Sequence, residues 1–114
     1  MDTLELAHTI VNAIEEKKGE DVLLLDLRGQ SDFTDFFVIA SGTSERMLQA
    51  LADAAENAAR ITMQAKGRLE GNAADGWLLV DFGDVILHLF APEKRQYYRL
   101  EDLWKQGKVL LHLQ

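Results

Sequence analysis

Two apolar runs, Trp77-Leu-Leu-Val-Asp-Phe82 and Val85-Ile-Leu-His-Leu-Phe90, are separated only by Gly83-Asp84. These two residues suit a primed β-turn, and so short a loop leaves a single pairing register. In that register Phe82 faces Val85, Val80 faces Leu87 and Leu78 faces Leu89, an apolar face that must be core. The other face carries the pairs Asp81–Ile86, Leu79–His88 and Trp77–Phe90. It mixes large apolar groups with a carboxylate and an imidazole, which fits neither plain core nor plain solvent. The hairpin thus requires a layer over one face and leaves the other to be explained.

Upstream, Phe36 to Ala40 is an uninterrupted apolar run of aromatic and β-branched types, as expected of a strand buried on both faces. Ser41-Gly42-Thr43 stops it. A long Ala-rich helical pattern then runs from Ser44 to about Lys66, with Thr43 or Ser44 as N-cap and Glu45 at the positive end of the dipole. Leu48, Leu51, Ala55, Ala58, Ala59 and Thr62 share one face, and Gly67 is the expected C-terminus. The Ser41–Ser44 turn reads as a capped strand–helix junction. The competing reading, an anion site at a helix N-terminus, has one glycine and no lysine behind it.

At the start, Asp2 and Glu5 have the spacing of a capping box, with Leu6, Ala7, Ile10, Val11 and Ile14 as an apolar stripe. Lys17-Lys18-Gly19 closes this helix, glycine taking the left-handed position. His8 reads as a boundary residue beside the stripe. Val22 to Leu27 reads as a second covered strand. Arg68 to Gly76 reads as a loop without a defined path. Pro92-Glu93 opens a short helix whose pattern of Lys94, Arg95, Tyr97, Tyr98, Leu100, Leu103 and Trp104 continues to Trp104. Residues 107–114 stand open between an edge strand and a loose tail. The order predicts an α/β (α+β) two-layer domain, residues 1–114, with a mixed sheet of about four or five strands.

Charge ranks the partners. Twelve Lys and Arg against nineteen Asp and Glu leave a net −7, with no Cys for disulfides, thiol chemistry or Cys-ligated zinc. An acidic chain is steered toward basic partners and away from phosphate backbones, so direct nucleic-acid recognition is not expected. The N-terminus has neither the basic start nor the apolar run of a signal peptide. No run reaches membrane-span length, so no membrane partner and a cytoplasmic location are expected.

Several motifs carry a family resemblance. Asp35-x-x-Val38-Ile39-x-Ser41-Gly42-Thr43-Ser44-x-Arg46 is followed by Glu70-Gly71, Gly76-Trp77, Asp81-x-Gly83-Asp84-Val85-x-x-His88 and Tyr98-x-Leu100-x-x-Leu103-Trp104. Together, in this order, they resemble the ribosomal silencing factor family, also called Iojap-like, over all but the tail after Lys105. The resemblance implies a fold similar to nucleotidyltransferases without their catalysis. It also implies binding to the large ribosomal subunit through large-subunit ribosomal protein fourteen. The bound factor would then block joining of the small subunit and hold translation down, mainly under nutrient limitation.

The residues agree that an enzyme is not expected. Nucleotidyl transfer needs a Gly-Ser pair opening a helix and paired carboxylates on a strand to hold Mg²⁺. Here the order is Ser41-Gly42, no Asp-x-Asp follows, and Asp81 and Asp84 are separated around a turn. Asp21, Asp26, Asp32 and Asp35 fit no cation loop, and His8, His88 and His112 lack metal spacing. No catalytic residue, metal or cofactor is therefore assigned. The expected partner-binding residues are Trp77, Asp81, Phe82, Asp84 and His88, with Trp77 as the anchor and the carboxylates meeting basic side chains. For Trp77 the competing role is a core residue capping the sheet; for Asp81 and Asp84 it is a solvated turn. Two other functions stay open: a large-subunit assembly factor contacting RNA through Arg60, Lys66 and Arg68, and a nucleotide-binding enzyme using Ser41–Ser44. A homodimer of the free protein is a further expectation, from a partly apolar exposed face.

Overall fold

A computed structural model of the chain describes residues 2–30, 32, 34–97 and 107–113. The element order is α1 (Thr3–Glu16), β1 (Glu20–Asp26), β2 (Phe36–Ser41), α2 (Glu45–Met63), β3 (Arg68–Asn72), a 3₁₀ turn (Ala73–Asp75), β4 (Trp77–Asp81), β5 (Val85–Phe90), α3 (Pro92–Tyr97) and β6 (Lys108–Leu113). The expected helical continuation to Trp104 lies outside the described residues. The strands form one six-stranded sheet in the order β3-β4-β5-β2-β1-β6. Its central pair, β2 and β5, is parallel, and every other pair is antiparallel, so the sheet is mixed as expected but larger.

Side-chain alternation splits the interior in two. Val22 and Leu24, Phe36, Val38 and Ala40, Leu78 and Val80, and Val85, Leu87 and Leu89 pack on α1 and α2. The helices contribute Leu6, Ile10, Val11 and Ile14 from α1, and Leu48, Leu51, Ala52, Ala55 and Ala59 from α2. The alanines let α2 lie close on the sheet. Each fully buried leucine or isoleucine here contributes about 1.5–3 kcal/mol from its removal from water. On the other face Leu23, Leu25, Leu27, Phe37, Ile39, Ile86 and Phe90 form a second cluster, edged by Trp77 and Leu79.

The helix starts follow the sequence. Asp2 Oδ1 accepts the Leu4 N–H (3.0 Å) and the Glu5 N–H (3.3 Å), and Ser44 Oγ accepts the Met47 N–H (3.0 Å). The helix ends do not. Lys18, not Gly19, takes the left-handed conformation (φ 66°), and α2 stops at Met63 with Gln64 in that role (φ 55°). Gly19 and Gly67 serve close approach instead. A Cβ on Gly19 would stand 2.4 Å from Ile14 Cγ2, and one on Gly67 would stand 2.7 Å from both Phe82 Cε1 and Val80 Cγ1. On α2, Ala52 is buried in place of the expected Ala58, which is half-buried, and Thr62, which is exposed.

The segment expected to be a loop, Arg68 to Gly76, is β3 followed by the 3₁₀ turn. All five β3 residues are exposed, so no periodicity marks them. The strand exists because β4 has an outer edge of backbone groups, which Arg68–Asn72 satisfies by antiparallel pairing.

Candidate partner-binding face

The β4–β5 turn holds the candidate residues, and its register is the expected one: Trp77 pairs with Phe90, Leu78 with Leu89, Leu79 with His88, Val80 with Leu87 and Asp81 with Ile86. Gly83 takes φ 90°, and the Phe82 N–H donates to the Val85 carbonyl at 2.9 Å. Asp81 helps to shape the turn, since its Oδ1 accepts the Gly83 N–H at 2.7 Å. Its Oδ2 lies 3.7 Å from Arg68 Nη2 on the neighbouring strand, and the same guanidinium lies 3.7 Å from Glu70. These exposed, long ion pairs add little stability and leave an acidic surplus beside the hairpin.

On the face away from α1 and α2 the aromatic side chains form a row. The Trp77 ring stacks on Phe90 (6.2 Å between centroids, 15°), and Phe90 stacks on His88 (6.1 Å, 7°). Phe37 meets His88 edge-on (4.7 Å, 78°). Trp77 is half-buried, whereas Phe90 and Phe37 are buried. His88 is half-buried as a residue, but both ring nitrogens are buried and reach no hydrogen-bond partner among the described residues. Burial pushes its pKa down to about 4, so the ring is neutral near pH 7.

The structure brings some expected residues together and separates others. Trp77, Asp81 and His88 share this face. Phe82 packs toward the helix-side core, and Asp84 is exposed at the turn. The Asp84 carbonyl accepts the Asp35 N–H (2.9 Å) and the Phe36 N–H (3.1 Å), tying the turn to the start of β2. Sequence reasoning missed Arg68 and Glu70, which reach this rim only because β3 pairs with β4. It also left out Phe37, which parallel pairing of β2 with β5 sets beside Ile86, two residues from His88 and on the same face.

The Ser41–Ser44 turn is engaged structurally. Ser41 Oγ accepts from Arg95 Nη1 at 2.9 Å, Ser44 caps α2, and the Gly42 N–H donates to the Phe90 carbonyl at 3.0 Å. A groove of about 410 Å³ beside it is lined by Ser44, Glu45, Asp75, Glu93 and Lys94, among others. Three carboxylates against one lysine oppose a phosphate ligand. Of the acids considered for a metal, Asp26 is held by Arg28 (2.8 Å), which keeps its carboxyl below the usual range, and Asp21 pairs with Arg95 and His112. Among the described residues no group of three or more His, Cys, Asp and Glu is placed to hold a metal ion. None of the described helices is long and apolar enough to cross a membrane.

The fold and this face define an α/β protein with one mixed sheet, whose candidate site is the half-buried Trp77 at the margin of a buried cluster, with Glu70 and Asp81 further along the same face. A family profile described as ribosomal silencing factor during starvation matches residues 1–113, and the chain belongs to that family. The ribosomal silencing factor of Halalkalibacterium halodurans is 41% identical over 104 residues, covering 91% of this chain and 89% of that one. Mitochondrial assembly of ribosomal large subunit protein 1 of Mus musculus is 36% identical over 101 residues, covering 83% of this chain and 43% of that one. A crystal structure of a Chromobacterium violaceum protein superposes with a TM-score of 0.86 at 31% identity, covering 95% and 90% of the two chains. The names of the matched bacterial relatives are regulatory rather than enzymatic.

Proposed function

We propose that this chain represses translation by binding the large ribosomal subunit through large-subunit ribosomal protein fourteen and sterically blocking the small subunit, mainly under nutrient limitation. The observation that carries the reading is the half-buried Trp77, stacked on Phe90 on a sheet face that carries Glu70 and Asp81 further along, in a chain of this family with net charge −7. An aromatic anchor with carboxylates along the same hairpin suits a basic protein surface. Trp77 supplies rigid contact area, Asp81 and Asp84 meet basic side chains, and Phe82 supports the hairpin from the helix side. His88 backs the aromatic row rather than hydrogen-bonding the partner. Occlusion needs no catalysis and no cofactor, and the cytoplasm is the compartment that supplies the partner.

Sucrose-gradient sedimentation tests the reading. The protein is expected to travel with free large subunits and not with small subunits, and to raise the free-subunit fraction in a reconstituted joining assay as its concentration rises. Equal co-sedimentation with translating ribosomes would sink steric blocking. The second reading, assembly of the large subunit, is favoured by the name of the mouse relative. It predicts accumulated large-subunit precursors when the protein is depleted. RNA contact through Arg60, Lys66 and Arg68 is less favoured, because Arg68 is already placed between Glu70 and Asp81.

A further inference from the structure

A buried arginine outside the candidate face ties distant parts of the chain together. Arg95 in α3 is 9% exposed, and its Nη1 donates to the Asp21 carbonyl at 2.7 Å and to Ser41 Oγ at 2.9 Å. The Asp21 carboxylate lies 3.5 Å from the same nitrogen, but it is half-exposed and shared with His112. Nη2 is buried and reaches no hydrogen-bond partner among the described residues. Burial pushes the Arg95 pKa down, and the charge of Asp21 only opposes this. A buried ion pair so incompletely satisfied adds little stability over an apolar residue of similar size. Stability is therefore a poor account of why an arginine stands here.

We infer that Arg95 is a positioning residue for Trp77, acting through α3 and the ends of β2 and β5; the inference rests on the function proposed above. α3 has six residues, too few for a helix to hold itself by its own hydrogen bonds. Of its described side chains only Arg95 is buried, while Pro92, Glu93 and Lys94 are exposed. Arg95 is thus the side chain that fastens this helix across the ends of the strands. The backbone is shaped to receive it. β1 is bulged at Asp21 and Val22, which together stand opposite Ala40, and Asp21 takes φ 50°. A bulge frees backbone groups from the ladder, and here the Asp21 carbonyl accepts from Arg95.

Two short routes lead from Arg95 to Trp77. On the first, Ser41 pairs with Phe90, the Gly42 N–H donates to the Phe90 carbonyl at 3.0 Å, and the Phe90 ring stacks on Trp77. On the second, α3 lies against Gly76, the residue before Trp77. The Ala91 N–H donates to the Gly76 carbonyl at 2.9 Å, and a Cβ on Gly76 would stand 2.9 Å from Lys94 Cγ. Both routes end at the Trp77–Phe90 pair, the open end of the hairpin. Cut from Asp21 and Ser41, α3 loses its fastening, and the indole loses the support that fixes its angle.

A binding cycle and a fluorescence comparison test this. Arg95→Met takes a donor from two acceptors but also removes the partnerless Nη2 and a buried charge, so the urea midpoint should stay close to the parent's. Binding to large subunits should fall about tenfold, a part of the loss expected for the anchor itself. Because Arg95 acts through Trp77, the losses should not add: Trp77→Ala/Arg95→Met should bind no more weakly than Trp77→Ala. In a Trp104→Phe background, where Trp77 is the remaining tryptophan, Arg95→Met should shift the emission to longer wavelength and increase quenching by acrylamide. Arg95→Lys keeps the charge but not the planar fork; it should fall between the two in both readouts, and it replaces Arg95→Met in the cycle if that variant does not fold. Additive losses, unchanged Trp77 emission, or binding that falls only where the urea midpoint falls with it would overturn the positioning role. A parent protein that does not bind large subunits would overturn the proposed function instead, and the fluorescence comparison would still decide whether Arg95 sets Trp77.

Discussion

Trp77 is placed between two roles, half-buried and stacked on Phe90 at the margin of the second cluster. A fully buried aromatic cut to alanine loses about 3–5 kcal/mol of folding stability, and an interface anchor about 2 kcal/mol or more of binding. With part of its ring in solvent, Trp77→Ala is expected to lose less stability than the buried figure. Binding to large subunits should fall about 30-fold or more. Paired measurements, a urea midpoint and a subunit-binding titration, check this. A variant that unfolds would return Trp77 to the core and leave Asp81 and Asp84 as the interface. His88 behaves differently, because burial lowers its pKa from 6.5 to about 4. The unfolded chain takes a proton on this ring near pH 6.5, while the folded protein resists until about pH 4. The stability from a neutral His88 is therefore complete above pH 6.5 and is lost as the pH falls from there toward 4. Urea unfolding at pH 7 and pH 5 should differ by about 2 kcal/mol from this group, and His88→Leu should remove most of the difference. An equal pH dependence in the variant would show that the ring is solvated.

At the scale of elements, helix ends and hairpin turns obey different rules. The Gly83-Asp84 turn is local: two residues and one register, readable before folding. The end of α2 is not, because the glycine that should cap it, Gly67, is required where Phe82 and Val80 come close. Gln64 takes the left-handed position instead, a conformation that costs an L-residue roughly 1–2 kcal/mol. Gln64→Gly is therefore expected to raise stability by about 0.5–1 kcal/mol after the extra entropy of the unfolded glycine. Gly67→Ala should lower it by about 1–3 kcal/mol through overpacking against Phe82. Thermal unfolding of the two variants separates these effects. A destabilised Gln64→Gly would mean that the glutamine side chain supports the cap.

Across the whole molecule, the sheet is what turns scattered motifs into one surface. The β4–β5 register, the apolar and mixed faces, the covered strands β1 and β2 and the N-caps of α1 and α2 were all determined by the sequence. They rest on short-range physics: side-chain alternation, a two-residue loop and hydroxyl or carboxylate caps within a few residues of the groups they satisfy. Trp77, Asp81 and His88 were legible as a set for the same reason. Tertiary structure alone decided the rest. The exposed β3 is a strand because β4 offers an unpaired edge, and through it Arg68 and Glu70 reach the rim. The parallel pairing of β2 with β5 sets Phe37 against His88. Pairing with β1 makes Lys108–Leu113 the far edge of the sheet. In each case the partner lies many residues away, and backbone hydrogen bonds between distant segments leave no periodicity in the segment that makes them.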